Sequence, residues 1–364
     1  MKRFAVVLLS ILLALLPGCT KPMTERAESA ESETVESIAE DLSSTESEAE
    51  NTAEKAEHIT KTLSSGVMVD ADVYVPESMQ KSALAEMRGQ GQLIDYEELK
   101  SLFCSGKTIT EEGEEPWEMV TPGAMEAVGK YVSTQDGDYL QRICGNTFYY
   151  MTERDIQDIE DLTIYETGKN LDFASIEETD KTIRDIAEKL NIAVGDSVCY
   201  TIDTSSMPHY VFRYDLLVNG MPLGKFDGGS YSDNVFTPGT YLTAVLDEDG
   251  IRHFDVSYVL KETETGDAQR ILTLDEALDK VDEKYNSIIM EGDYYINDIQ
   301  MAYTPIKTDD TKIVRLIPVW YFQTTHQILV PNRSGTGKVM LPQSGYILIN
   351  ALDGTELLHS NGDI

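Results

Sequence analysis

The fold is decided by residues 273–304, which read TLDEALDKVDEKYNSIIMEGDYYINDIQMAYT. Thr273 and Glu276 have the spacing of a capping box, in which two side chains bond to backbone N–H groups at a helix start. The apolar residues that follow recur three or four positions apart, which predicts an amphipathic helix. From Ile296 to Thr304 they alternate instead, which predicts a strand. Such a helix cannot bury its stripe alone, so we expect it to pack across an antiparallel sheet. The stripe comprises Leu274, Ala277, Leu278, Val281 and Tyr285.

The same plan appears earlier in the chain. Ser175 and Glu178 form a second capping box, before an apolar stripe of Ile176, Ile183, Ile186, Ala187 and Leu190. We therefore predict an α+β fold with repeated units of one helix packed on an antiparallel sheet, spanning residues 169–268 and 269–364. The predicted strands are Val198–Asp203, Tyr210–Val218, Tyr241–Leu246, Ile251–Leu260, Ile296–Thr304, Ile313–Thr324, Gly345–Ala351 and Glu356–His359.

Residues 58–168 predict a first α+β module. Val67–Val75 alternates strictly and indicates a half-buried antiparallel strand, and Asp95 begins a short helix. A hairpin joins Lys130–Ser133 to Tyr139–Ile143 through the turn Asp136-Gly137, and Asn146–Met151 is one more strand.

The N-terminus has the features of a cleavable signal. Lys2 and Arg3 precede an apolar run, Phe4–Leu16, which as a helix of about 20 Å is too short for a hydrocarbon core of about 30 Å. The following Leu16-Pro17-Gly18-Cys19 resembles the lipobox of bacterial lipoproteins, with Pro17 where a small residue is commoner. The resemblance implies that residues 1–18 are removed and that Cys19 carries a diacylglyceryl thioether, which anchors the chain outside the cell membrane. An ordinary secretory signal is the alternative interpretation.

Residues 20–57 form an acidic linker with twelve Asp and Glu, three Lys and Arg, and no aromatic residue. Such a segment cannot bury enough apolar area to offset its ordering entropy, so we predict disorder, with a solvated acidic helix as the alternative. The whole chain carries a net charge of −35. Without a stripe of Lys and Arg to neutralise phosphates, nucleic acid is not an expected partner.

The residues that usually carry metals or catalysis are scattered. Cys104, Cys144 and Cys199 show no zinc-site spacing, and the five histidines occur singly. A disulfide between Cys104 and Cys144 is possible, although buried free thiols are the favoured interpretation. Asn332–Lys338 lacks the spacing of a phosphate loop. We therefore expect no cofactor, no metal and no enzymatic activity.

Two stretches resemble the YycH/YycI extracytoplasmic regulators. The first is Phe212–Leu223, with its turn Asn219-Gly220-Met221-Pro222, and the second is Leu274–Leu358, which also resembles PepSY-like domains. The residues that carry the second resemblance are Leu278, Ile299, Tyr303, Pro318, Val319, Trp320, Ile349, Asn350, Ala351 and Gly354. The resemblance implies an accessory regulator of a sensor kinase outside the membrane. That family acts through a transmembrane helix, whereas this chain offers Cys19.

Two long loops, Gly224–Gly239 and His326–Gly345, are the predicted recognition elements, because long loops in compact domains are often functional. We expect them to form one edge that binds a partner. The sequence thus favours a non-enzymatic, lipid-anchored protein that binds and modulates another envelope protein, a sensor or a protease. A solute- or glycan-binding lipoprotein is the alternative, and a cell-wall hydrolase is less favoured. The candidate partner-binding residues are Tyr231, Asn234, Phe236, Asn332 and Arg333.

Overall fold

The structure is a computed structural model that describes residues 57–116, 123–153, 166–203, 207–224, 230–231, 236–237, 240–287, 292–331 and 338–360. The predictions for Cys19 and for residues 20–56 lie outside these residues. In the described part of the chain, strands predominate and three helices accompany them, which is a strand-dominated α+β fold. Residues 57–364 form one compact unit.

The secondary structure follows the chain in this order. The helices are α1 (Tyr96–Phe103), α2 (Ile176–Lys189) and α3 (Leu274–Asn286), and Glu77–Met79 forms a 3₁₀ turn. The strands are β1 (Glu57–Thr62), β2 (Met68–Tyr74), β3 (Ala83–Gly91), β4 (Ile109–Pro116), β5 (Val128–Thr134), β6 (Tyr139–Ile143), β7 (Thr147–Met151), β8 (Glu166–Thr167), β9 (Val194–Ile202), β10 (His209–Val218), β11 (Met221–Pro222), β12 (Ser230–Tyr231), β13 (Phe236–Thr237), β14 (Tyr241–Asp247), β15 (Gly250–Ser257), β16 (Leu260–Arg270), β17 (Tyr294–Lys307), β18 (Ile313–Pro331), β19 (Lys338–Asn350) and β20 (Glu356–Ser360).

The strands divide between two large sheets. The first has the order β1-β2-β17-β18-β19-β20, with β3 pairing both β16 and β18. Its pairs are antiparallel except that β2 and β17 run parallel. The second sheet has the order β4-β5-β6-β7-β15-β14-β10-β9-β8, with β11 paired to β10. The larger of two hydrophobic clusters among the described residues includes residues of both sheets and of all three described helices.

The sheets do not follow the module boundaries predicted at residues 168 and 268. Strands β1–β3 lie in the first sheet and β4–β8 in the second. The predicted strand Ile251–Leu260 is also divided. Tyr258 has φ 67°, β15 ends before it in the second sheet, and β16 begins after it in the first. The chain therefore crosses between the sheets at Tyr258.

Both predicted capping boxes are present. The Ser175 hydroxyl accepts a hydrogen bond from the Glu178 N–H at 3.2 Å, and the Thr273 hydroxyl accepts one from the Glu276 N–H at 3.3 Å. The glutamate side chains accept in return from the backbone N–H of Ser175 and Thr273. Helix α3 buries the predicted Ala277, Leu278, Val281 and Tyr285, whereas Leu274 is partly buried. Asp95 likewise caps α1.

Removing the side-chain cap of one helix should lower the stability of the protein moderately. We expect Thr273→Ala to lower the free energy of unfolding by about 1 kcal/mol, because the Glu276 N–H loses its acceptor at the helix start. The measurement is chemical denaturation. Thr273→Ser keeps the hydroxyl and serves as the control. Equal loss in the two variants would contradict the role of the hydroxyl.

The prediction of a loop at His326–Gly345 is wrong for most of its length. Strand β18 continues to Pro331 and β19 begins at Lys338, and the two pair along this whole stretch from Thr324–Gly345 to Pro331–Lys338. Apolar residues on both strands instead favour an extended antiparallel pairing.

Candidate functional site

The described residues at the bases of the two predicted recognition loops lie apart along β17. Leu223, just before the first loop, bridges to Tyr303 of β17. The second hairpin extends past the Tyr294–His326 pair, at the other end of β17. Tyr294 and Tyr303 are nine residue steps apart on β17, which is roughly 30 Å along a strand. Tyr231 and Phe236 pair directly in β12 and β13, whereas Asn234, Asn332 and Arg333 lie outside the described residues.

A more extensive candidate surface lies on the second sheet. One row of directly paired residues crosses six neighbouring strands, β4, β5, β6, β7, β15 and β14. It consists of Gly113, Tyr131, Gln141, Tyr149, Asp255 and Thr243. We use the name tyrosine face for the partly buried side chains of Tyr131, Tyr139, Tyr149, Tyr241 and Asp255 together with the buried Gln141.

The tyrosine face is opposite to the helix-bearing face of the same sheet. Phe103 of α1 contacts Phe148, Tyr150 and Phe254, with ring centroids 4.8–6.0 Å apart. Helix α2 meets the same side, where the Tyr214 hydroxyl donates to Asp180 at 2.7 Å. Because neighbouring side chains of a strand point to opposite faces, Tyr149 and Asp255 point away from these helices.

The tyrosine side chains are held in a hydrogen-bonded array. Tyr131 and Tyr139 have ring centroids 6.2 Å apart, and Tyr139 and Tyr149 have centroids 5.8 Å apart. The Tyr149 hydroxyl donates to the Gln141 carbonyl at 2.5 Å, and the Gln141 amide donates to Glu115. The Tyr131 hydroxyl donates to Glu111 at 3.3 Å, and Tyr241 donates to Asp255 at 3.4 Å. These hydrogen bonds and ring contacts hold the tyrosine rings in a fixed arrangement.

Gly113 makes room for this array on the edge strand. A Cβ at this position would lie 2.8 Å from the Tyr131 hydroxyl oxygen. The Tyr131 ring therefore occupies the space above the Gly113 backbone. A side chain here would displace the ring, which explains a glycine within the otherwise acidic strand β4.

The carboxylates of β4 differ between its two faces. On the helix-bearing side, Glu112 pairs with Lys100 at 2.7 Å and Glu114 with Lys130 at 3.1 Å. On the tyrosine side, Glu115 is exposed and is bonded by the neutral amide of Gln141. A carboxylate bonded by a neutral donor keeps its full negative charge. The tyrosine face therefore presents negative charge among aromatic rings.

Burial controls the titration of this surface. Burial, and next the nearby Glu115 charge, raise the pKa of Tyr139 to about 12. Burial also raises the pKa of Tyr149, so both side chains are neutral hydroxyl groups near pH 7. Desolvation raises the pKa of the Asp255 carboxyl, against the opposing effect of His253.

A second feature is a groove of about 580 Å³ beside the start of α3. Val75, Met79, Met301 and Trp320 contribute to its apolar lining. Trp320 is its single aromatic residue and is only 5% exposed, and its indole N–H donates to the Leu272 carbonyl at 2.9 Å. The groove is therefore not the aromatic-lined pocket that a glycan-binding role was expected to require.

The remaining reactive groups form no site in the described part of the chain. Cys104 and Cys144 are buried free thiols and Cys199 is a partly buried one. Burial raises the pKa of Cys104 and raises that of Cys199 to about 12, which keeps both protonated and poorly nucleophilic. No group of three or more His, Cys, Asp or Glu among the described residues is arranged to hold a metal ion. None of the described helices has the length and apolar character to cross a membrane.

Sequence reasoning missed the tyrosine face, although part of its signal is local. The predicted hairpin of β5 and β6 places Tyr131 and Tyr139 on the face opposite Val132 and Leu140. Tyr149 follows by the same alternation in the next strand. The pairing of β7 with β15, which adds Asp255, joins strands about a hundred residues apart and has no local signal.

Comparison with known proteins identifies a fold but no family. No protein-family model matches the chain, and no curated protein matches it. Among solved structures, the chain is similar to an uncharacterized protein from Eubacterium rectale ATCC 33656, with a TM-score of 0.65 and 16% sequence identity. The likeness covers 83% of this chain and 93% of that chain. It establishes a shared fold.

Proposed function

We propose that this chain is a non-enzymatic lipoprotein, anchored outside the cell membrane through Cys19, that binds and modulates another envelope protein. The observation that carries the binding role is the tyrosine face, a pre-arranged surface of rings and carboxylates that faces away from α1 and α2. Tyrosine is enriched at the energetic centres of protein interfaces, where its ring is buried and its hydroxyl finds a partner.

The geometry of the rings favours a protein over a glycan. A sugar ring stacks on an open aromatic face. Here the Tyr131 and Tyr139 rings are stacked at 20° with centroids 6.2 Å apart, and the Tyr139 and Tyr149 rings are tilted by 34° with centroids 5.8 Å apart. Each ring therefore has another ring as its neighbour, and the Tyr131 and Tyr149 hydroxyl groups are bonded to Glu111 and Gln141. These groups suit the mixed polar and apolar contacts of a protein interface.

Charge defines the chemistry of the partner surface. The exposed Glu111 and Glu115 place negative charge beside the ring array, on a chain whose net charge is −35. A complementary surface carries Lys or Arg, which pair with carboxylates and contact aromatic rings. We infer a basic patch on a sensor or protease of the envelope, in line with the resemblance to YycH/YycI regulators. A repeated plan of one helix packed on an antiparallel sheet, without the predicted boundaries at residues 168 and 268, is part of the same proposal and is supported by the matching capping boxes of α2 and α3.

Removing two rings tests the binding surface. We expect Tyr131→Thr/Tyr139→Thr to reduce partner recovery at least about tenfold, because a central interface tyrosine contributes about 2 kcal/mol. The measurement is quantitative pull-down of the acylated full-length chain from crosslinked membranes. Tyr295→Thr is the matched control, since this partly buried tyrosine lies on β17 of the other sheet. Unchanged recovery with the double variant would refute the assignment of this face.

The anchor is tested separately. We expect metabolic labelling with a fatty-acid analogue to mark the wild-type chain and not Cys19→Ser. A labelled variant, or an unlabelled wild type recovered from the cytosol, would refute the proposed anchoring. Neither result would bear on binding by the tyrosine face, which the pull-down tests separately.

A further inference from the structure

Strand β4 is an open edge of the second sheet. It is the last strand in the order of that sheet, and among the described residues no strand pairs with the side that faces away from β5. All of its residues are exposed except Gly113, which is partly buried. An edge strand directs the N–H and C=O groups of every second residue away from the sheet, where another strand can bond to them. The backbone of β4 is therefore available for the addition of an extended segment.

A regular register distinguishes β4 from β16, which is also a largely exposed strand with one described partner. From the Glu111–Ser133 pair to the Pro116–Val128 pair, each residue of β4 has one partner on β5 without a bulge. The pairing of β16 with β3 has two register shifts. Bulges disrupt the row of outward backbone groups and protect an edge against strand addition. Of these two edges, β4 is the one with an unbroken run, which is about 20 Å long at 3.4 Å per residue.

The side chains of β4 on the tyrosine side form an alternating pattern. Glu111, Gly113 and Glu115 are two residues apart, so they share this side of the strand. The Tyr131 ring covers Gly113, and its hydroxyl donates to Glu111 at 3.3 Å. Glu115 accepts from the Gln141 amide. Because Gly113 has no side chain, a long side chain beside it on an added strand has room to lie against the Tyr131 ring.

We propose that an extended segment of the partner, with Lys or Arg at alternate positions, adds to β4 as a further strand of the second sheet. The inference rests on the proposed function, since it concerns the same partner of the tyrosine face and adds how that partner binds. Basic side chains of the segment pair with the carboxylates of Glu111 and Glu115, and one between them lies against Tyr131. The backbone hydrogen bonds of the added strand supply affinity, and the alternating charges supply specificity.

The same carboxylates disfavour a second copy of this chain as the added strand. Four of the eight residues of β4 are Glu, and none is basic. Pairing of β4 with β4 of another copy would bring carboxylates next to carboxylates, which is destabilising. On the helix-bearing side, Glu112 and Glu114 are already paired with Lys100 and Lys130. A basic strand therefore finds its complement on the tyrosine side.

Peptide binding to the acylated full-length chain in a non-ionic detergent tests strand addition. The probe is a short fluorescent peptide in which lysine alternates with valine, and binding is measured by fluorescence polarisation. Two modified probes carry N-methyl groups, one on all lysine N–H groups and the other on all valine N–H groups. In an added strand the N–H groups of alternate residues point to the same edge, so only one of these two sets bonds to β4. We expect one methylated probe to bind at least about tenfold more weakly and the other to bind like the unmodified peptide.

Charge reversal on β4 tests the choice of partner. Glu111→Lys/Glu115→Lys should lower the affinity for the lysine probe at least about tenfold, because it places like charges beside each other. The same variant should gain binding of a probe in which glutamate alternates with valine. Glu264→Lys/Asp267→Lys is the matched control, since both residues are exposed on β16 and the net charge changes by the same amount. We expect this control to bind the lysine probe like the wild type.

Equal affinities of the two methylated probes, whether retained or lost, would overturn the proposal, because the peptide would then not be held as a strand. Absence of binding by the lysine probe, or equal loss in the two charge-reversal variants, would overturn it as well. The pull-down separates this result from the proposed function. If Tyr131→Thr/Tyr139→Thr lost the envelope protein and Glu111→Lys/Glu115→Lys retained it, the tyrosine face would stand as the binding surface and strand addition to β4 would be refuted.

Discussion

Val281→Asp is expected to lower the free energy of unfolding by about 4 kcal/mol or more, because it places an unpaired carboxylate in the core. Val281 is fully buried in the middle of α3, in the same core cluster as Ile296 and Ile299 of the underlying strand β17. Most of the stability of a short helix comes from packing its apolar stripe, so the variant should also detach α3 from the sheet. For a chain of this size the midpoint of thermal unfolding should fall by roughly 10 °C.

The helix itself supplies the control for this experiment. Glu283 lies on the exposed side of α3, where it pairs with Lys280 at 2.9 Å. Glu283→Asp changes a surface ion pair, so we expect an effect within about 0.5 kcal/mol. If Val281→Asp and the wild type unfolded at the same midpoint temperature, α3 would not be packed on the first sheet.

Phe254→Ala is expected to cost about 3–5 kcal/mol, as for other large aromatic truncations in cores. Phe254 is fully buried on β15, and its ring centroid lies 5.4 Å from that of Phe103 and 5.9 Å from that of Phe148. The truncation leaves a cavity between α1 and the second sheet. Since the tyrosine face is on the other side of the same strands, partner binding should weaken together with folding.

Phe254→Leu separates cavity formation from loss of apolar character. It retains most of the buried apolar area, so we expect a smaller loss than for alanine, measured by chemical denaturation. Equal stability of the alanine variant and the wild type would contradict the central position of this ring in the core.

The features that sequence predicts correctly here depend on local chemistry. The capping boxes at Ser175 and Thr273 and the N-cap at Asp95 each involve residues two or three positions apart. The hairpin of β5 and β6 follows from a short turn between two alternating segments. Such features form in the same way in any context that allows the helix or hairpin to pack.

Other strands were missed because their residues do not alternate. Strand β4 reads ITEEGEEP and β16 reads LKETETGDAQR, both polar and largely exposed, as a loop would be. Backbone pairing with β5 and β3 makes them strands. The division into sheets is equally non-local, since Val69 of β2 pairs with Ile296 of β17. No pattern within either segment specifies that contact.

The tyrosine face could likewise be predicted only in part from the sequence. Alternation along each strand places Tyr131, Tyr139 and Tyr149 on the outward side. Their position next to Asp255 and Tyr241 depends on the pairing of β7 with β15 and of β15 with β14. The predicted loop at His326–Gly345 is largely a continuation of β18 and β19, because backbone pairing between the two strands extends as far as Pro331 and Lys338.

Site-specific photocrosslinking in intact cells tests the central claim, that the tyrosine face is the recognition surface, most directly. A benzophenone amino acid would replace Tyr139 in one strain and Tyr295, on the other sheet, in a second, with adducts identified by mass spectrometry. We predict that position 139 yields an adduct with one envelope protein, that position 295 does not, and that Glu115→Lys abolishes the adduct by reversing the charge beside the rings. An adduct that forms equally at both positions, or that survives the charge reversal, would contradict the account.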